Sequence, residues 1–316
     1  MALTRLGFHF SSTTYDGWTS ATLASTVLDV AAAAEQAGFD SLWVPDHAHQ
    51  NPIGGGPTTP MPEAYALLAA LAARTTAVRL GALVSPITFR APSLLAKAVA
   101  TLDVLSGGRA VLGLGAAWDT AEHTAYGIDY PPLPERYERL EEALQLCRAL
   151  LGEQPASFAG RFFTLDGAWC SPPPVQARLP ILVGGGGERR TLALVARYAD
   201  ACNFFGGIDD LRRKLQVLRQ HCDEAGRDPS EVTTTVAFMA PDDPDEVRRL
   251  ADERLALGVD GVILFGGSAP SASTVAAWGA ALADLHTCWS PPTTSAPTAA
   301  SSSARPSVGR SPTTSG

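Results

Sequence analysis

RLGALVSPITFRAPSLLAKAVATLDVLSGGRAVLGLG, residues 79–115, contains a complete strand–helix–strand unit. Arg79–Val84 is an apolar run of strand length, and Ser93–Leu105, entered through Pro92, has the length of a helix. Ala110–Leu114 is a second strand-length run. Two near-continuous apolar strands joined through a helix run parallel and are covered on both faces.

The same unit recurs on either side. Upstream, strands are expected at Leu6–Phe10 and Ser41–Val44, with helices at Leu23–Ala37 and Glu63–Arg74. Downstream, Pro131–Pro134 precede a helix over Glu135–Leu151, where Leu140, Ala143, Leu144, Cys147 and Leu151 repeat at three- and four-residue spacing. Strands then fall at Ile181–Val183, Ala201–Phe205, Val232–Phe238 and Gly261–Phe265. Their helices fall at Arg189–Tyr198, Asp209–Gly226, Pro244–Gly258 and Ser271–Leu285. Eight strands alternating with eight helices favour a closed (β/α)8 barrel of the TIM type over an open doubly wound sheet. Gly152–Leu179, rich in proline and aromatics, reads as an irregular insertion between strands four and five. Residues 1–289 form one domain in this reading. Residues 290–316, nearly all Ser, Thr, Pro, Ala and Gly, are expected to be a disordered tail.

Composition narrows the function classes. The 316 residues are 46% hydrophobic and carry a net charge of −8, with a pI near 5.2. An acidic chain is a poor nucleic-acid binder. Cys147, Cys170, Cys202, Cys222 and Cys288 are dispersed, as reduced thiols in a cytosolic protein would be. MALTRLGFHF runs directly into a strand without the pattern of a signal peptide, and no run of eighteen apolar residues occurs. A cytoplasmic protein with no membrane partner is expected.

In a (β/α)8 barrel the active site is built at the C-terminal ends of the strands. Gly184-Gly185-Gly186-Gly187 open a helix directly after strand five, where backbone amides and the helix dipole suit a phosphate. A tight turn without ligand remains the alternative. Asp46-His47, after strand two, can hydrogen-bond the edge of a heterocycle, or be a solvated turn pair. His9 is a candidate acid or base, or else a satisfied core histidine. Glu122-His123 follow strand four, and Trp118, Phe10 and Phe205 are candidate pocket walls. No Walker lysine, GxSxG elbow or HExxH motif occurs, and no metal site is expected.

Several segments together resemble one family. Thr88-Phe89-Arg90-Ala91-Pro92, Ala96-Lys97 through Leu102-Asp103, Leu105-Ser106-Gly107-Gly108-Arg109 and Gly113-Leu114-Gly115 are similar to the core signature of the luciferase-like monooxygenases. Phe158 to Phe163, Leu179 to Gly185 and Tyr198-Ala199-Asp200 extend the likeness over residues 4 to about 287. Asp46-His47, within SLWVPDH, resembles the branch that uses the deazaflavin coenzyme F(420). The resemblance implies that Asp46 and His47 line the deazaflavin ring and that the Leu83–Val84 peptide is a non-prolyl cis bond forming a bulge behind it. It implies that Gly184, Gly185 and Gly186 receive the coenzyme's phosphate, and that Gly113, Gly115 and Ala116 flank the coenzyme. Ala116-Ala117-Trp118 departs from the sugar-phosphate dehydrogenases of that branch, which place an acid there. The implied activity is hydride transfer between the deazaflavin and a small organic substrate, with His9, His47 and Glu122 as candidates for moving the proton. An FMN-dependent monooxygenase and a non-catalytic flavin-binding barrel are the alternatives, and a homodimer is implied.

Overall fold

A computed structural model describes residues 3–285 apart from 16, 267 and 268; the expected tail and Cys288 lie outside the described residues. Eight parallel strand positions close on themselves. In chain order the strands are β1 (Leu6–His9), β2 (Ser41–Val44), β3 (Arg79–Ala82), its short continuation β4 (Ser85–Pro86), β5 (Ala110–Gly115), and, beyond a hairpin of β6 (Ala156–Ala159) and β7 (Thr164–Ala168), β8 (Ile181–Gly184), β9 (Ala201–Phe204), β10 (Thr233–Ala240) and β11 (Gly261–Gly266). Each barrel strand pairs in parallel with its neighbours. Two pairings complete the ring: β1 against β11, with Leu6 opposite Val262, and β3 against β5, with Leu80 opposite Ala110. The (β/α)8 barrel expected from the sequence is therefore present.

Closure requires the interior to be filled. Trp43, Val111, Leu182, Ala201, Ala237 and Ile263 form an inner cluster separate from the larger core between strands and helices. Trp43 is the bulkiest member, and its indole N–H donates to Ser41 Oγ at 2.9 Å. Gly7 and Gly81 make room for it, because a Cβ on either would lie within 3 Å of the indole.

Helices cover the outside: α1 (Leu23–Gln36), α2 (Ala64–Arg74), α3 (Pro92–Ser106), α4 (Thr120–Tyr126), α5 (Leu133–Leu150), α6 (Thr191–Tyr198), α7 (Ile208–Ala225), α8 (Pro244–Leu255) and α9 (Ala272–Ala281). None of the described helices is long and apolar enough to cross a membrane.

Four sequence expectations shift. The third strand ends at Ala82, not Val84: the Leu83–Val84 peptide is cis, and pairing resumes at Ser85 opposite Leu114. The insertion is not irregular throughout, because Phe158 and Leu165 pair within the β6–β7 hairpin. α4 is an additional helix, capped by Asp119, whose carboxylate accepts from the amides of Ala121 and Glu122. α6 begins at Thr191, not Arg189, leaving the glycine run as open loop.

Candidate active site

The bulge after β3 shapes the mouth of the barrel. Val84 turns its side chain across the ends of the neighbouring strands, where three glycines receive it. A Cβ on Gly115 would lie 2.6 Å from Val84 Cγ2, and one on Gly184 would lie 2.7 Å from Val84 Cγ1. At Gly113 the nearest atom would be the Ala82 carbonyl oxygen, only 2.0 Å away. Gly113 is therefore a packing position beneath the bulge, and it does not reach the cleft that Gly115 helps to line.

That cleft has a volume of about 350 Å³ and opens at the C-terminal ends of the strands. Of the residues singled out from the sequence, Asp46, His47, Leu83, Val84, Gly115, Ala116, Glu122, Gly184, Gly185 and Gly186 all line it. Gly187, Thr191, Tyr137 and Asn203 complete the glycine side, and Trp118, Leu133 and Phe205 add apolar wall.

A carboxylate can only accept, so the 2.8 Å contact between His47 Nδ1 and Glu122 Oε1 places a proton on Nδ1. The second Glu122 oxygen accepts from the Ala48 amide at 3.0 Å. Glu122 is 1% exposed, and these two donors engage both of its oxygens. His47 is thereby fixed in orientation, and its Nε2 is left for a second molecule. Trp118 meets the imidazole edge-on at 5.5 Å. Asp46 is buried, which pushes its carboxyl above the usual range, while the Arg90 guanidinium at 2.6 Å opposes that shift. Arg90 also bonds Glu63. Its partners are thus two carboxylates.

Across the cleft, among the described residues, the amides of Gly185, Gly186 and Gly187 have no partner within the protein. Gly185 sits at φ +113, a left-handed conformation that favours glycine. Side chains at the next two positions would collide with Lys214 Nζ and with the hydroxyls of Thr191 and Tyr137. Asn203 is 1% exposed, and its Nδ2 donates to Thr235 at 2.9 Å while Oδ1 is unpartnered. Free amides facing a cleft, an orphaned acceptor in its wall and a bulge for a planar ring to rest on fit a phosphorylated flavin-like molecule.

His9 is not in the lining. It is 3% exposed, stacked on Phe265 at 3.8 Å, with Nδ1 3.0 Å from Ser11 Oγ. Burial, reinforced by His47, pushes its pKa down to about 3, against a weaker pull from the Leu83 carbonyl; among the described residues Nε2 has no well-formed hydrogen bond. Phe10 is likewise buried, edge-on to Phe8 at 4.8 Å. Arg136 was not legible as a site residue. It donates to the carbonyls of Ala116 and Ala117 at 2.9 and 2.6 Å, holding Ala117 at φ +63. Only the fold brings it there.

A (β/α)8 barrel with a bulged third strand and its cleft at the strand C-termini defines the class. The chain belongs to the luciferase-like monooxygenase family, whose profile matches residues 6–303. An uncharacterised protein of Mycobacterium tuberculosis is 32% identical over 81% of this chain and 92% of its own length. The F(420)-dependent glucose-6-phosphate dehydrogenase of Kineococcus radiotolerans is 33% identical over 72% of this chain and 66% of its own. Among solved structures, an F(420)-dependent secondary alcohol dehydrogenase with an F(420)–acetone adduct superposes with a TM-score of 0.75 at 20% identity, covering 90% of this chain and 99% of that one. A monooxygenase from Streptomyces bottropensis superposes at 0.71 with 22% identity, covering 89% and 98%. At these identities the two superpositions speak for the fold.

Proposed function

We propose that this protein is an F(420)-dependent oxidoreductase acting on a small organic molecule. The observation that carries the reading is one cleft holding both a row of glycine amides unpartnered among the described residues and the Asp46–His47–Glu122 group, whose two carboxylates are buried. The dehydrogenase relative named for the same coenzyme supports it.

Bound in the cleft, the deazaflavin supplies a carbon that exchanges hydride and favours two-electron transfer over oxygen activation. The protein supplies the rest. Gly184–Gly187 hold the phosphate, and Leu83, Val84, Gly115 and Ala116 bear the ring. Asp46 and Arg90 fix the loop after β2. His47 takes or gives the proton at Nε2, and Glu122 positions it through Nδ1. His9, neutral and behind the wall, serves here as packing for the mouth.

Fluorescence titration of the purified chain with F(420) and with FMN tests the reading. Saturable quenching by the deazaflavin, at least about ten-fold tighter than FMN, is expected. Tighter FMN binding with oxygen uptake would favour the monooxygenase reading, for which the family relationship speaks. Coenzyme binding without turnover of any alcohol, aldehyde or ketone would favour a non-catalytic barrel. A homodimer is part of the proposal. Leu94 and Leu105, 68% and 60% exposed, lie three turns apart on one face of α3 and would be covered by a second copy; sedimentation equilibrium decides it.

A further inference from the structure

The glycine run has much conformational freedom and few bonds of its own. Among the described residues no partner within the protein reaches the Gly185, Gly186 and Gly187 amides, so the run alone does not keep them turned to the cleft. Upstream, Gly184 is fixed by its pairing with Asn203 across β8 and β9. Downstream, the Gly187 carbonyl accepts from the Leu192 amide in the first turn of α6 at 3.1 Å. The next residue, Glu188, is tied at its carboxylate and at its carbonyl, both times to α7. Arg213, Lys214 and, two turns further on, His221 share one face of that helix. Arg213 Nη2 lies 2.9 Å from Glu188 Oε1, but it is exposed and shared with Asp210, which leaves a weak tie. Lys214 is engaged by Asp210 and the Phe205 carbonyl. His221 reaches the main chain instead: its Nε2 lies 2.8 Å from the Glu188 carbonyl oxygen.

A carbonyl oxygen only accepts, so Nε2 carries a proton and donates it to that bond. At the other ring nitrogen, Nδ1 faces the Glu224 carboxylate at 3.1 Å, which keeps the imidazole aligned along α7. The bond to Glu188 sets the plane of the Glu188–Arg189 peptide, directly after the plane that Leu192 sets. We propose, on the coenzyme reading above, that His221 is a positioning residue for the coenzyme's phosphate. By donating from Nε2 to the Glu188 carbonyl it anchors the downstream end of the run and holds the Gly185–Gly187 amides against the cleft. It is not part of the cleft lining and does not itself touch the phosphate. An anchored row of amides receives an anion without first losing loop entropy. A released row must order as it binds, and that loss falls on the phosphate and not on the ring.

The test compares two substitutions in the full chain, both polar and both on a partly exposed helix face. The amide nitrogen of Gln in His221→Gln reaches the place of Nε2 and can still donate to Glu188. That of Asn in His221→Asn reaches only the place of Nδ1, keeping the Glu224 contact and losing the other. Each protein is titrated by fluorescence quenching with F(420) and with the same deazaflavin carrying its ribityl chain without the phosphate. The ratio of the two affinities is the readout, because partial misfolding lowers both alike and leaves the ratio unchanged. His221→Asn should lower the ratio about ten-fold, while His221→Gln should stay within about three-fold of the unsubstituted protein. An unchanged ratio in His221→Asn, or an equal fall in His221→Gln, would overturn the inference and leave the coenzyme reading standing. Failure of the unsubstituted protein to bind F(420) would end that reading, and this inference with it.

Discussion

The two ends of the barrel treat polar groups in opposite ways. At the N-terminal end Arg109 is 2% exposed, yet every guanidinium nitrogen is engaged. Nε donates to the Ser106 carbonyl, Nη1 to Thr75 Oγ1 and the Val78 carbonyl, and Nη2 to the Ala72 and Thr75 carbonyls, all between 2.7 and 2.9 Å. Asp103, fully buried, accepts from the amides of Ala110, Val175 and Gln176 and from the Gln176 side chain. At the C-terminal end the Gly185–Gly187 amides, Asn203 Oδ1 and His9 Nε2 lack partners among the described residues. An unmade hydrogen bond has a cost to the folded state. One end of the fold therefore holds the strands in register, and the other keeps binding capacity in reserve.

Substitution of Arg109 by Leu is the largest way to break this contrast. It strips the donors from four carbonyls and a hydroxyl, and should lower the unfolding free energy by about 4 kcal/mol. Chemical denaturation reads it, and a loss under about 1 kcal/mol would remove the distinction between the ends. Next comes Glu122→Gln, which keeps the shape but removes the charge facing His47. Turnover should fall about 100-fold and the pH–rate profile should shift, with the unfolding midpoint little changed. Gly186→Val sharpens the comparison from the binding side. Lys214 must move and the amide row is disturbed, so F(420) affinity should fall about 30-fold while stability changes by less than about 1 kcal/mol.

The smallest effect at neutral pH is expected from His9→Asn. Its folded pKa, about 3, lies below the ordinary 6.5, so the unfolded chain takes up the proton first. The stability it contributes is complete above pH 6.5 and is lost as pH falls toward 3. The substitution should cost about 1 kcal/mol at pH 7 through the lost stack on Phe265, and flatten the acid limb by up to about 1.4 kcal/mol per pH unit at its steepest. Parallel limbs for the two proteins would show that His9 titrates normally.

Much of this was legible in the chain. Apolar runs such as Ala110–Leu114 and Ile181–Val183 stand out because a strand buried on both faces has little choice of residue. The glycine run and Asp46-His47 were found by position, since strand ends mark the mouth of a barrel. The β6–β7 hairpin was missed because its strands are half-exposed and lack a consistent alternation. The separate tasks of Gly113 and Gly115 were not visible either. They depend on where Val84 turns, in the bulge between β3 and β4, about thirty residues earlier in the chain.

The sequence by itself determined the alternation of strands and helices, the family and the neighbourhood of the site, because periodicity and strand-end position are local properties. Tertiary structure alone decided that Glu122 meets His47 from 75 residues away. It also put Arg136 in control of the Ala116–Ala117 turn and His9 behind the wall instead of in it. The physical reason is that hydrogen-bond partnership and desolvation depend on distances through space, which are fixed only once the barrel closes.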